Sequence, residues 1–209
     1  MNSPRMPRPS RSPVVSPSPI AVLRMSLERF LADEAEIRAE YPWADRFVMG
    51  MPLAPWQRAL KWDEGLSRRF IVSAWTGIPL GIYAVTGIDL EKGDQVRYCR
   101  LSNCVVDGQQ RLHALELYFM NELAVPDAAG VMTLWSELDI VEQRWFERRI
   151  FERGLVPMSD ERELREFYDL MNFGGVPHEE HERAAVHCDR FTSGGEEGCE
   201  AEPMRPTAG

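Results

Sequence analysis

The chain has 209 residues, enough at roughly 150 residues per domain for one domain with a sizeable core and extensions. Its formal charge is −9, and because the first 24 residues hold four arginines and no acid, residues 25–209 carry −13, which argues against sequence-independent nucleic-acid binding through a basic surface. Hydrophobic residues make up 44%, excluding wholesale disorder. No apolar run of about 18 residues is present to span a membrane, and four cysteines without a C-x-x-C pair suit a reducing cytoplasm better than a zinc ribbon or a disulfide scaffold.

Residues 1–19, MNSPRMPRPSRSPVVSPSP, are dominated by Pro, Ser and Arg and predict a disordered or polyproline-like tail, drawn to residue 25. Val14-Val15 is too short for the apolar region of a secretory signal. The tail reads either as a weak basic arm for anionic partners or as a dispensable leader. After Ser26 as N-cap, Leu27, Phe30, Leu31 and Ala35 predict a helix to Glu40, stopped before Pro42. A second helix lies between Asp63 as N-cap and Gly77 as terminator, with Leu66, Phe70, Ile71, Ala74 and Trp75 on one face.

Residues 80–86 and 96–106 predict two strands, an antiparallel pair across the polar connection 87–95. A third helix begins near Gly108 and carries Leu112, Ala114, Leu115, Tyr118 and Phe119. The Arg/Glu-rich residues 136–153 predict a fourth, and residues 160–171 a fifth that ends at Asn172-Phe173-Gly174-Gly175. Strands among several helices without βαβ alternation indicate an α+β domain, a small mixed sheet flanked by helices, over residues 26–190, with a flexible acidic tail at 191–209.

The stretch Cys104-Val105-Val106-Asp107-Gly108-Gln109-Gln110-Arg111-Leu112 runs a β-branched strand through Asp-Gly directly into a helix. Such a turn presents the first backbone N–H groups of the helix at the sheet edge, a ready anion site. Arg111 follows Asp107 by four residues and lies near it on a helix; a guanidinium grips phosphate oxygens, and a carboxylate holds a divalent cation or orients water. Spacing alone leaves open that Asp107 caps the helix and pairs with Arg111. In Pro55-Trp56-Gln57-Arg58-Ala59-Leu60-Lys61-Trp62, two indoles flank Arg58 in a loop-like region, suited to stacking on a base or presenting Arg58 to phosphate, or else to anchoring the loop.

Four elements in this order, Gln57-Arg58 with Trp62 after Pro55, a helix ending in Gly77-Ile78-Pro79-Leu80-Gly81 before a strand, the full Asp107-Gly108-Gln109-Gln110-Arg111-Leu112, and Asn172-Phe173-Gly174-Gly175, resemble the DGQQR-motif domain at the N-terminus of the GmrSD type IV restriction enzymes, in the ParB/sulfiredoxin-like superfamily. The resemblance covers residues 51–177. It implies an α+β domain that binds, and often hydrolyses, a nucleoside triphosphate with Mg²⁺ (ATP, GTP or CTP) to regulate DNA-directed restriction and phage-defence systems. Asp107, Gly108, Gln109, Gln110 and Arg111 would then line the phosphates. Gln57 and Arg58 would face them, Asn172, Gly174 and Gly175 would close the pocket, and Asp107, Arg58 and Arg111 would carry catalysis, Asp107 also as metal ligand.

Family members commonly continue into a helical or His-Asn-His-type nuclease module. The residues after Pro177 are too few for one, so a protein partner is expected to supply the effector or nuclease. Alternative expectations are a non-hydrolysing regulatory module or a phosphoryl transferase of the same fold; direct DNA nicking fits the acidic body least. His178, His181, His187 and Cys188 mimic a metal site but read as a solvated polar helix, and Arg144, Arg148, Arg149 and Arg153, interleaved with glutamates, as a salt-bridged exposed face. No P-loop, G-x-S-x-G or H-E-x-x-H motif is present.

Overall fold

The computed structural model describes residues 13–91 and 97–173. In chain order these form β1 (Val14–Ser16), α1 (Ile20–Ala32), α2 (Glu34–Glu40), the hairpin β2 (Phe47–Val48) and β3 (Met51–Pro52), α3 (Glu64–Thr76), β4 (Ile82–Thr86) and β5 (Val105–Asp107). There follow α4 (Gln109–Phe119), the hairpin β6 (Val125–Pro126) and β7 (Met132–Thr133), α5 (Ile140–Glu147), β8 (Glu152–Val156) and α6 (Glu161–Phe173). The fold is α+β, with a four-stranded mixed sheet in the order β1-β8-β4-β5. Strand β4 pairs antiparallel with β5 and parallel with β8, and β8 pairs antiparallel with β1. Among the described residues no helix is long and apolar enough to cross a membrane.

The sheet is covered on both sides. Alternation along the strands sends Tyr83, Val85 and Val105 into one cluster with Ile20, Leu23, Ile71, Leu115 and Phe146 from the helices α1, α3, α4 and α5. Ala84, Val106 and Val156 go to the opposite cluster with Leu164 and Tyr168 of α6. A strand buried on both faces reads as an unbroken apolar run, which is why Ile82-Tyr83-Ala84-Val85 was recognisable. Tyr83 and Phe151 lie 4.9 Å apart under the end of the sheet where β5 passes into α4.

Local signals set several boundaries as expected. Asp63 caps α3 by accepting from the Leu66 amide at 2.7 Å, and Gly77 ends it in the left-handed region at φ 79°. Elsewhere non-local packing decides. The tail expected to be disordered to residue 25 contributes β1, paired with β8, and α1 starts at Ile20 because Ile20, Leu23, Leu27 and Phe30 make its buried stripe. Leu31, expected inside, is 54% exposed, and the helix breaks at Asp33.

The strand expected over 96–106 shrinks to β5, since Leu101 and Asn103 take φ of 64° and 48°, which no extended strand tolerates. The long helix expected over 136–153 is corrected to α5 followed by β8, because residues 152–156 pair along β4, residues 153–155 also along β1, and Phe151 just before them is buried against Tyr83. The basic run is split accordingly: the guanidinium of Arg149 stacks 3.3 Å from the Trp145 ring, Arg153 lies in β8, and Glu147 pairs instead with Arg24 of α1. Gly174, Gly175, His178, His181, His187 and Cys188 lie outside the described residues.

Candidate functional site

The antiparallel pairing of Ala84 with Asp107 sets where β5 ends, and Gly108 turns the chain into α4 at φ 99°. A Cβ at Gly108 would sit 2.7 Å from the Cβ and 3.1 Å from the Cα of Tyr83, so this turn both needs a positive φ and presses the backbone onto β4. No side chain caps α4 and no acid occupies its first turn, which leaves its leading N–H groups and the positive end of its dipole open to an anion.

Beside that terminus Arg111 donates from Nη2 to Asp107 Oδ2 at 2.9 Å and from Nη1 to the Leu80 carbonyl at 3.3 Å, its guanidinium 5.7 Å from the Phe151 ring centre. Gly81, at φ 75°, leaves room for that reach, since a Cβ there would fall 2.7 Å from Nη1. The pair is mostly shielded, with 23% and 15% of the side-chain surfaces exposed, so the guanidinium is held in one orientation rather than sampling solvent. Asn172, on the last turns of α6, donates to the Tyr168 carbonyl at 2.9 Å and approaches Asp107 Oδ1 at 3.5 Å.

Gln57, Arg58, Trp62, Asp107, Gly108, Gln109, Gln110, Arg111, Tyr168 and Asn172 surround one pocket of about 130 Å³. Eight of the ten positions singled out in the sequence therefore meet at one place, Gly174 and Gly175 being the two outside the described residues. Within that group the glutamines hold backbone. Gln57, 7% exposed, donates to the Val105 and Val106 carbonyls at 3.3 and 2.5 Å. Gln109 donates to the Arg58 carbonyl at 3.0 Å. Gln110 accepts from the Lys61 and Trp62 amides at 3.1 Å and donates to the Ala59 carbonyl at 3.3 Å.

These amides thus tie residues 57–62 to the end of β5 and the first turn of α4, which keeps Arg58 in the same pocket as that turn. Trp62 lines the pocket and packs on Phe70 at 5.8 Å, whereas Trp56 lies under the Arg165 guanidinium, 4.6 Å from its ring, outside the pocket lining. Replacing Gln110 by leucine is expected to free the loop: the loss of about 1–2 kcal/mol from two unaccepted amides lowers the melting temperature by about 2–8 °C. Limited trypsin digestion at Arg58 and Lys61 should accelerate in the same variant.

Two further features escaped the sequence reading. Tyr168, 2% exposed, has its hydroxyl hydrogen-bonded by the Arg58 backbone; burial pushes that hydroxyl above its ordinary pKa, with the Arg58 charge pulling it down in part, so it remains a neutral phenol near pH 7. It precedes Asn172 by one helical turn, and that spacing was the available signal. Gln109 Oε1 is buried with no hydrogen-bond partner, leaving one acceptor at the pocket for a water or a ligand donor.

The donor set offers little to a resident metal. Among the described residues Asp107 is the one carboxylate lining the pocket, and no group of three His, Cys, Asp or Glu converges. Comparison with protein-family models, curated proteins and solved structures returns no match. The site must therefore be read from its own geometry.

Proposed function

We propose that the protein binds a nucleoside triphosphate at the α4 terminus and hydrolyses it, as a DGQQR-motif domain of ParB/sulfiredoxin-like kind related to the regulatory part of DNA-directed restriction and phage-defence systems. The observation that carries this reading is the uncapped start of α4 sharing one small pocket with Arg58, Arg111 and Asp107. Helix N–H groups and two guanidiniums provide the charge that phosphate oxygens need. The unpartnered Gln109 Oε1 supplies an acceptor where a bound water or hydroxyl completes the set.

Mg²⁺ enters as part of the substrate, held chiefly by phosphate oxygens, with ATP, GTP or CTP as the nucleotide. In the reaction, water attacks the terminal phosphorus and the bond to the bridging oxygen breaks, releasing inorganic phosphate and the diphosphate. Asp107 orients the water, and Arg58 and Arg111 balance charge on the phosphoryl and leaving oxygens. A cytoplasmic site of action accords with two free thiols among the described residues, Cys99 and Cys104. A protein partner supplies the effector or nuclease, since a net charge of −9 works against binding to the DNA backbone.

Phosphate release from the four Mg²⁺-nucleotides is the direct test. Asp107→Ala is expected to lower release about 100-fold while leaving nucleotide binding intact, because Arg111 then faces the phosphates unpaired. Equal rates for Asp107→Ala and wild type would reject hydrolysis at this site. A second reading is favoured by one distance: Asp107 Oδ2 is already held by Arg111 at 2.9 Å. A carboxylate kept in that pair serves a regulatory module that holds nucleotide without turnover, and thermal stabilisation by nucleotide with no phosphate release would select it.

A further inference from the structure

A second cleft, of about 400 Å³, lies between the segments that lead into β4 and β8, residues 77–81 and 148–152. Its walls are apolar at Ile78, Pro79 and Ile150 and polar at Arg148, Arg149 and Glu152. Ile78 and Ile150 are 57% and 44% exposed, so branched apolar surface stands open on both walls of the cleft. Because β4 and β8 run parallel and β5 runs against them, the starts of β4 and β8 and the end of β5 share one end of the sheet. The cleft and the phosphate pocket are thus neighbours.

One guanidinium touches both. Arg111 lines the pocket at α4, while its Nη1 bonds to the Leu80 carbonyl and lies against Gly81, and both Leu80 and Gly81 line the second cleft. Size favours joining the two. Sites for small organic ligands run to about 300–1,000 Å³, which the 130 Å³ pocket does not reach and the two cavities together do. The pocket has room for phosphates; a nucleoside needs space beyond it.

Resting on the phosphate reading above, we propose that the cleft between residues 77–81 and 148–152 takes the nucleoside half of the same nucleotide, with Arg111 between base and phosphates. The apolar walls cover the faces of the base. Glu152, exposed and able only to accept, receives a hydrogen bond from an exocyclic amine, which adenine, guanine and cytosine carry and uracil lacks. The site therefore prefers amino-bearing nucleotides to UTP.

Dissociation constants of the full-length protein for ATP, UTP and inorganic tripolyphosphate, each with Mg²⁺, test this. Ile78→Asp is expected to weaken ATP about tenfold and tripolyphosphate by less than about twofold, the retained tripolyphosphate binding also showing that the variant is folded. Glu152→Gln is expected to bring ATP and UTP affinities together. If both Ile78→Asp and Ile150→Asp bind ATP as wild type does, the nucleoside cleft is rejected and the phosphate pocket stands. If the wild type binds neither ATP nor tripolyphosphate, both readings fall together.

Discussion

Gly108→Ala should destabilise the protein by about 2–5 kcal/mol, the sum of a positive φ that an L side chain resists, about 1–2 kcal/mol, and a clash that backbone must absorb, about 1–3 kcal/mol. The clash is firm because the new methyl group would meet the Cβ and Cα of Tyr83, itself 1% exposed and wedged against Phe151. A flexible side chain turns away from such a contact; a central strand does not. Urea denaturation should show the midpoint falling with the slope unchanged. Gly130→Ala is the matched control: its φ is 83° but nothing lies within 4 Å of the added atom, so it should lose only the backbone contribution. Equal losses at the two glycines would show that α4 does not press on β4 as described.

Arg111→Ala should abolish function more completely than Asp107→Ala. Removing Asp107 leaves a positive group facing incoming phosphates, whereas removing Arg111 leaves the Asp107 carboxylate, 15% exposed, beside them without its partner. Nucleotide affinity is expected to fall about 100-fold or more and phosphate release about 1,000-fold. The double variant Asp107→Ala/Arg111→Ala should bind better than Arg111→Ala alone, since it also removes the stranded negative charge. Isothermal titration of the four proteins closes the cycle. An Arg111→Ala protein that binds nucleotide as tightly as wild type would place the phosphates elsewhere.

What the sequence disclosed follows the range of each interaction. Asp63 and Gly77 bound α3 through contacts made within a few residues, and the turn at Asp107-Gly108 is local as well, so both were legible. Strand β8 was not. Glu152-Arg153-Gly154-Leu155-Val156 continues an Arg/Glu-rich stretch with helical spacing, and only the edge offered by β4 and the cover of β1 make it a strand. The same holds at the site. That Gln57, Gln109 and Gln110 belong together was visible from the motifs, but their partners are carbonyls and amides some 50 positions away, so their work as brackets appears only in three dimensions. Tyr168 was hidden among the apolar positions of α6, its hydroxyl committed to a loop remote in sequence.

The parallel pairing of β4 with β8 orders events in time. During synthesis β4, β5 and α4 emerge together, ahead of Phe151, which packs on Tyr83, and of β8. Ile82 must wait for Glu152 before the sheet gains its third strand, and β1, made first, has no partner until then. Such long-range closure is the slow part of folding a mixed sheet. The elements around the start of α4 are therefore close together in the chain, while the walls of the neighbouring cleft, one before β4 and one before β8, can meet only once residues 148–152 have been made.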